Sequence, residues 1–142
     1  MPENSDTLPE KLKLADTARQ QGNLAEAERL YEDVLKQSPN NFEALHQLGV
    51  VNLRMGNNAR GTDYVTRALA IDPNSAAAQS NLGFALCLLN RPAEGLVHFD
   101  RAIALRPDYA EAHNNRAHAL FALRKPEEAL ASANRALALK PD

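Results

Sequence analysis

Apolar residues recur along this 142-residue chain at spacings of three and four, and short polar stretches interrupt them at regular intervals. Between Ala76 and Asn90, Leu82, Ala85, Leu86 and Leu89 form one such stripe, which predicts an amphipathic helix. A break at Asn90-Arg91-Pro92-Ala93-Glu94 follows, and Leu96, Phe99, Ala102, Ile103 and Leu105 predict a second helix. Pro92 fits the first turn of that helix, where a missing N–H costs nothing, and Glu94 adds a negative charge where the helix dipole favours it. Pro126 with Glu127 and Glu128 repeats the arrangement further on.

The breaks are periodic. Pro39-Asn40, Pro73-Asn74, Pro107-Asp108 and Pro141-Asp142 place prolines 34 residues apart three times in succession, the mark of a repeat array. The chain divides into a flexible leader, 1–7, and four units, 8–41, 42–75, 76–109 and 110–142. Each unit is predicted to be two helices of about 14 residues joined by a tight turn. A lone hairpin of this kind cannot bury its own stripe, so neighbouring units must stack. Ala15, Gly49, Gly83 and Ala117 share the eighth place of the unit, and Ala27, Gly61, Gly95 and Ala129 the twentieth. Glycine inside a helix costs about 0.5–1 kcal/mol relative to alanine, so four glycines at matching places predict helix crossings too close for a larger side chain. Tyr31, Val65, Phe99 and Ala133 at the twenty-fourth place, with Leu35, Leu69, Ile103 and Leu137 at the twenty-eighth, supply the bulk between helices.

Composition agrees with an all-α fold. Alanine occurs 25 times and leucine 21 times against 11 for Val, Ile and Thr together, too few β-branched residues to fill several strands. The formal net charge is −2, which argues against a nucleic-acid binder held by a surplus of cations. The single cysteine, Cys87, excludes an intrachain disulfide and a CxxC pair. The acidic start MPENSDTLPE does not read as a signal peptide, and no run approaches the roughly 18 apolar residues of a membrane span. The expected location is cytoplasmic.

On these residues the chain resembles the tetratricopeptide repeat (TPR) family: small residues at places 8, 20 and 27 (here Val34, Ala68, Ala102, Ala136), a large one at 7 and 24, and proline at 32. The resemblance covers residues 8–142 and implies a right-handed superhelical solenoid of stacked antiparallel helix hairpins. It departs at place 4, usually aromatic, where Lys11, Leu45, Gln79 and His113 stand, and at place 11, where Asn52 replaces a large apolar residue. Arg116 stands where its sister units carry Leu14, Leu48 and Leu82. It is expected to face the core of its hairpin, and either to snorkel past the last helix or to pair with a carboxylate from outside the chain.

The resemblance also implies a concave face lined by the first helices. By position it carries Leu12, Asp16 and Arg19 from the first unit, Glu43, His46, Gln47, Val50, Leu53 and Arg54 from the second, Ala77, Ser80, Asn81, Phe84, Cys87 and Leu88 from the third, and Glu111, Asn114, Asn115, His118 and Phe121 from the fourth. The peptide-binding residues expected there are Gln47, Val50, Leu53, Arg54, Asn81, Phe84, Cys87, Asn114, Asn115, His118 and Phe121. Phe84 and Phe121 offer apolar contact area, or else are partly covered by a neighbouring helix. Gln47, Asn81 and Asn115 share one place. Their amides match the donors and acceptors of an extended peptide, and the row resembles the asparagine ladder in the repeats of O-linked N-acetylglucosamine transferases. The alternative is that these amides bond between helices or face water. The lysine and asparagine of a chaperone-tail clamp are missing: Leu12 and Asp16, or His46 and Val50, hold those places.

Catalytic and metal signals are weak. His46, His98, His113 and His118 form no i,i+4 pair, and no serine elbow, P-loop or dinucleotide fingerprint occurs. The expectation is a non-enzymatic scaffold without cofactor or metal, binding a protein or extended peptide rather than nucleic acid or membrane. The alternative is the repeat segment of a larger enzyme, such as a glycosyltransferase, recognising its protein substrate. The last unit ends without a polar helix over its apolar face, which points to a fragment, to a homo-oligomer through that repeat, or to an end that needs no cover.

Overall fold

The computed structural model describes residues 7–140, so residues 1–6 of the leader and the Pro141-Asp142 pair lie outside the described residues. Eight helices and no strand occur among the described residues: α1 (Leu8–Gln20), α2 (Leu24–Gln37), α3 (Phe42–Arg54), α4 (Asn58–Ile71), α5 (Ala76–Leu88), α6 (Pro92–Leu105), α7 (Ala110–Ala122) and α8 (Pro126–Leu139). They fall into two compact units, one up to Asp72 and one from Pro73, each of two hairpins.

The helix ends repeat with the sequence. Gly22, Gly56, Asn90 and Arg124 all adopt positive φ, between 63° and 85°, just past the first helix of each hairpin. The N–H groups of the next residues, Asn23, Asn57, Arg91 and Lys125, return to the carbonyls of Ala18, Asn52, Leu86 and Leu120. This left-handed cap satisfies carbonyls that the helix leaves open and turns the chain into the second helix, which Pro92 and Pro126 open in α6 and α8. Three of the first helices start on side-chain caps, α7 with its N-cap Tyr109 being the exception: Thr7 forms a capping box with Glu10, Asn41 accepts from Ala44 N–H, and Ser75 from Ala78 N–H. Thr7, expected in the leader, is thus the first residue of the α1 cap.

In the first unit, Ala15, Ala18, Ala27, Tyr31 and Val34 of α1 and α2 pack with Ala44, Leu48 and Val51 of α3. In the second, Phe99 and Ala102 of α6 are buried, as are Ala112 and Ala119 of α7. The crossings of α3 with α4 and of α5 with α6 are made by the glycine pairs. A Cβ on Gly61 would stand 2.9 Å from the Gly49 carbonyl oxygen, and one on Gly95 would stand 2.7 Å from that of Gly83. Backbone meets backbone there. In the first and last hairpins Ala15 with Ala27, and Ala117 with Ala129, hold the same places.

Within each unit, place 7 of the second hairpin reaches back to the first hairpin of that unit. Leu48 is fully buried against the first hairpin, whereas Leu14, on the first hairpin itself, is 57% exposed. Arg116 therefore does neither of the things its sequence context suggested. Its Nε donates to Asp100 Oδ1 of α6 at 2.7 Å, and an Nη donates to Ser132 Oγ of α8 at 2.7 Å. The carboxylate it needs lies within the chain, on the preceding hairpin.

Candidate functional site

Three of the departures from the repeat pattern, Asn52, Gln79 and His113, turn out to be satisfied polar links. Buried Asn52 donates to the Leu48 carbonyl at 2.9 Å and accepts from Asn57 at 3.2 Å. Gln79 donates its amide N–H to the Pro73 carbonyl at 2.9 Å, which leaves its Oε1 as the acceptor for His98 Nδ1 at 2.9 Å. That network assigns the proton to His98 Nδ1. His113 reaches the Pro107 carbonyl in the same way at 2.9 Å. At place 4, then, Gln79 and His113 each tie a first helix to the proline connection before it.

On the first unit, several of the residues expected on the binding face are already engaged. Tyr31 donates to Asp16 and accepts from Arg19 Nε at 3.1 Å. Arg19 and Asp16 also form an ion pair at 3.6 Å, and burial with the Asp16 bond pushes the Tyr31 hydroxyl pKa well above its ordinary value. Gln47 donates to Glu43 at 3.2 Å, and Arg54, though exposed, donates to the Arg19 carbonyl at 3.4 Å. His46 is buried, with its ring 5.7 Å from that of Phe42, and desolvation lowers its pKa. Val50 is half-buried. The Asp16–Tyr31–Arg19 link escaped sequence reading because its partners are 15 residues apart on two helices. Only the repeat register, which stacks places 9, 12 and 24 of one hairpin, hinted at it.

Leu53 and Cys87, at place 12, turn into the hairpin crossings. Leu53 Cδ2 lies 2.7 Å from the position a Gly61 Cβ would take, and Cys87 Sγ lies 3.0 Å from that of Gly95. Both fill space the glycines leave open, and burial raises the Cys87 thiol pKa. Ser80 is buried as well.

On the second unit the expected residues gather on adjoining helices, α5 and α7. Asn81 and Asn115 are half-buried at equivalent places, Phe84 is 42% and Leu88 41% exposed, and His118 stands at the place equivalent to Phe84. Asn114, His118 and Phe121 also line an open cleft of about 660 Å³ between α7 and α8, whose other walls include Ala117, Ala129 and Leu130. Phe121 is 72% exposed there. α5, packed closely from behind through Gly83 and Gly95, and its neighbour α7 thus present amides beside apolar side chains. Such a face is suited to binding rather than to bond chemistry. Among the described residues no three or more His, Cys, Asp or Glu side chains are grouped to hold a metal, and no helix is long and apolar enough to cross a membrane.

Comparison with known proteins agrees with this architecture. Two models described as tetratricopeptide repeat match residues 12–76 and 74–142. An O-GlcNAc transferase from Thermobaculum terrenum superposes with a TM-score of 0.88 at 31% identity, over 97% of this chain and 27% of that one. The crystal structure of MamA gives a TM-score of 0.82 at 28% identity, over 89% of this chain and 74% of that one. Among curated proteins, cellulose synthase 2 operon protein C of Komagataeibacter xylinus is 38% identical over 53 residues, which is 37% of this chain. The chain spans about 4% of the length of that relative. With four equal repeats, all-helical hairpins and these matches together, the chain belongs to the tetratricopeptide repeat family.

Proposed function

We propose that this chain is a protein-interaction scaffold that holds an extended peptide or protein segment on its first helices. Family membership supports the scaffold in general terms. The observation that carries the peptide mode is the α5–α7 face, where Asn81 and Asn115 stand at equivalent places beside exposed Phe84. An extended peptide offers alternating N–H and C=O groups, which side-chain amides can bond in either sense. Phe84 adds an apolar anchor. Of the residues expected to contact such a segment, Gln47, Val50 and Arg54 belong to the first unit, and Asn81, Phe84, Asn114, Asn115, His118 and Phe121 to the second. Leu53 and Cys87 support the hairpin crossings behind them. Capture of a partner on immobilised protein tests the reading. The double variant Asn81→Ala/Asn115→Ala should weaken capture while helical circular dichroism stays intact, and unchanged capture would discard the amide contacts.

A second reading places these repeats ahead of a catalytic part in a larger enzyme, delivering its protein substrate. The match to 27% of an O-GlcNAc transferase chain favours it. An open reading frame running on into a catalytic domain would support it, and a stop codon directly after Asp142 would remove it. Self-association through the last hairpin is a proposal of the same standing, supported by the 62% and 60% exposure of Leu130 and Leu137 on α8. Sedimentation over a concentration series should then show a species larger than 15.5 kDa, and a monomer throughout would eliminate it.

A further inference from the structure

The two units differ sharply in the charge they present. On the first, α1 carries Asp16 and Arg19 and α3 carries Glu43 and Arg54, engaged with each other or with nearby polar groups. On the second, α5 from Ala76 to Leu88 contains no Asp, Glu, Lys, Arg or His at all. The charged residues of α7 are drawn to its start or away from the shared face. Glu111, in the first turn, accepts from the Tyr109 hydroxyl at 3.3 Å, and Arg116 is held by Asp100 and Ser132. Between these points the face offers amides, the exposed side chains of Phe84 and Leu88, and the imidazole of His118, which is the one ionisable group among them and sets the pH of the test below. A charged side chain laid there would give up water and meet no opposite charge, whichever its sign. An apolar side chain would gain contact with Phe84 and Leu88, which stand one helical turn apart.

We propose that the α5–α7 face is selective for electrically neutral peptide segments anchored by apolar side chains, and that it discriminates against both acidic and basic ones. The inference rests on the peptide-scaffold reading above and adds the chemical class of the segment. It makes the second unit a neutral reader, whereas the corresponding helices of the first unit carry Asp16, Arg19, Glu43 and Arg54.

Selection of displayed short random peptides on the immobilised full chain, at about pH 8 where an ordinary imidazole is neutral, tests it. Enriched peptides should be poor in Asp, Glu, Lys and Arg relative to the starting library. In a synthetic copy of one of them, replacing the central apolar residue by Lys or Glu should weaken binding about tenfold more than replacing it by Gln. Affinity should hardly change with salt, since few charges are involved. The variants Phe84→Ala and Leu88→Ala should each lose binding while still folding cooperatively, with melting temperatures lowered by only a few degrees, because both side chains are partly exposed. Enrichment of one sign of charge, steep salt dependence, or indifference to both variants would overturn the neutral selectivity and leave the scaffold reading standing. No enrichment at all would bring down the peptide mode with it.

Discussion

Replacing Gly95 by alanine tests the central packing claim. In an open helix position this change adds about 0.5–1 kcal/mol of stability through helix propensity. Here the new Cβ would stand 2.7 Å from the Gly83 carbonyl oxygen and 3.0 Å from Cys87 Sγ. Carbon and oxygen approach one another at about 3.3 Å at the closest in ordinary contacts, so the shortfall is roughly half an ångström. The obstructing atom belongs to helix backbone and cannot rotate away, so α5 and α6 must separate and loosen the packing around Phe99. Overpacking of this kind costs about 1–3 kcal/mol; with a helix-backbone oxygen as the obstacle a cost of about 2 kcal/mol or more, less the propensity gain, leaves a net loss of about 1–2.5 kcal/mol. For a chain of this size that is a fall of about 3–10 °C in the melting temperature. The chain has no tryptophan, so far-ultraviolet circular dichroism during heating and in urea is the suitable assay. Ala129→Gly in the last hairpin is the control: it removes a buried methyl from a crossing already built for alanine, and should destabilise by about 1–2 kcal/mol through lost helix propensity and lost burial together. A Gly95→Ala protein more stable than the parent would refute the close crossing and, with it, the argument that glycines set the hairpin geometry.

Arg124 has φ of 63° at a place where Gly22 and Gly56 stand in the first two hairpins, so Arg124→Gly should raise stability by about 1 kcal/mol in thermal melts, and Asn90→Gly by less because asparagine tolerates that conformation. Arg116→Ala should destabilise by about 1 kcal/mol in urea unfolding, since buried Ser132 loses its donor while exposed Asp100 turns to water. Desolvation lowers the pKa of His46 and of His98 in the folded protein, so the unfolded chain takes up protons first as pH falls. Their contribution is therefore complete above the ordinary imidazole value of about 6.5 and is lost as pH drops below it toward the lowered folded values. A His46→Gln/His98→Gln variant should show a shallower decline in urea midpoint across that window, and an unchanged decline would remove both histidines as the cause.

Much of the architecture could be read from spacing. The proline period places all four hairpins, Pro92 and Pro126 mark the starts of α6 and α8, and the matched glycines foretell the crossings. At place 7 the structure differs from the expectation because a helical stripe tells which side of a helix is apolar but not which neighbour covers it. Leu14 and Leu48 look alike in sequence, and only stacking separates an exposed side chain from a buried one. The same gap hid the purpose of Gln79 and His113, which read as missing aromatics until the Pro73 and Pro107 carbonyls were seen beside them.

The proposed binding face divides along similar lines. The repeat register alone determined that Asn81 and Asn115 share a place, that Phe84 lies near them, and that α5 carries no formal charge, because these properties depend on residue identity and a 34-residue period. The tertiary structure decided that Leu53 and Cys87 turn inward to fill the space beside Gly61 and Gly95, that His46 and Ser80 are buried, and that Arg116 pairs with Asp100. The reason is that periodicity specifies the direction of a side chain within one helix, whereas its exposure and its partners depend on how closely the neighbouring helices approach.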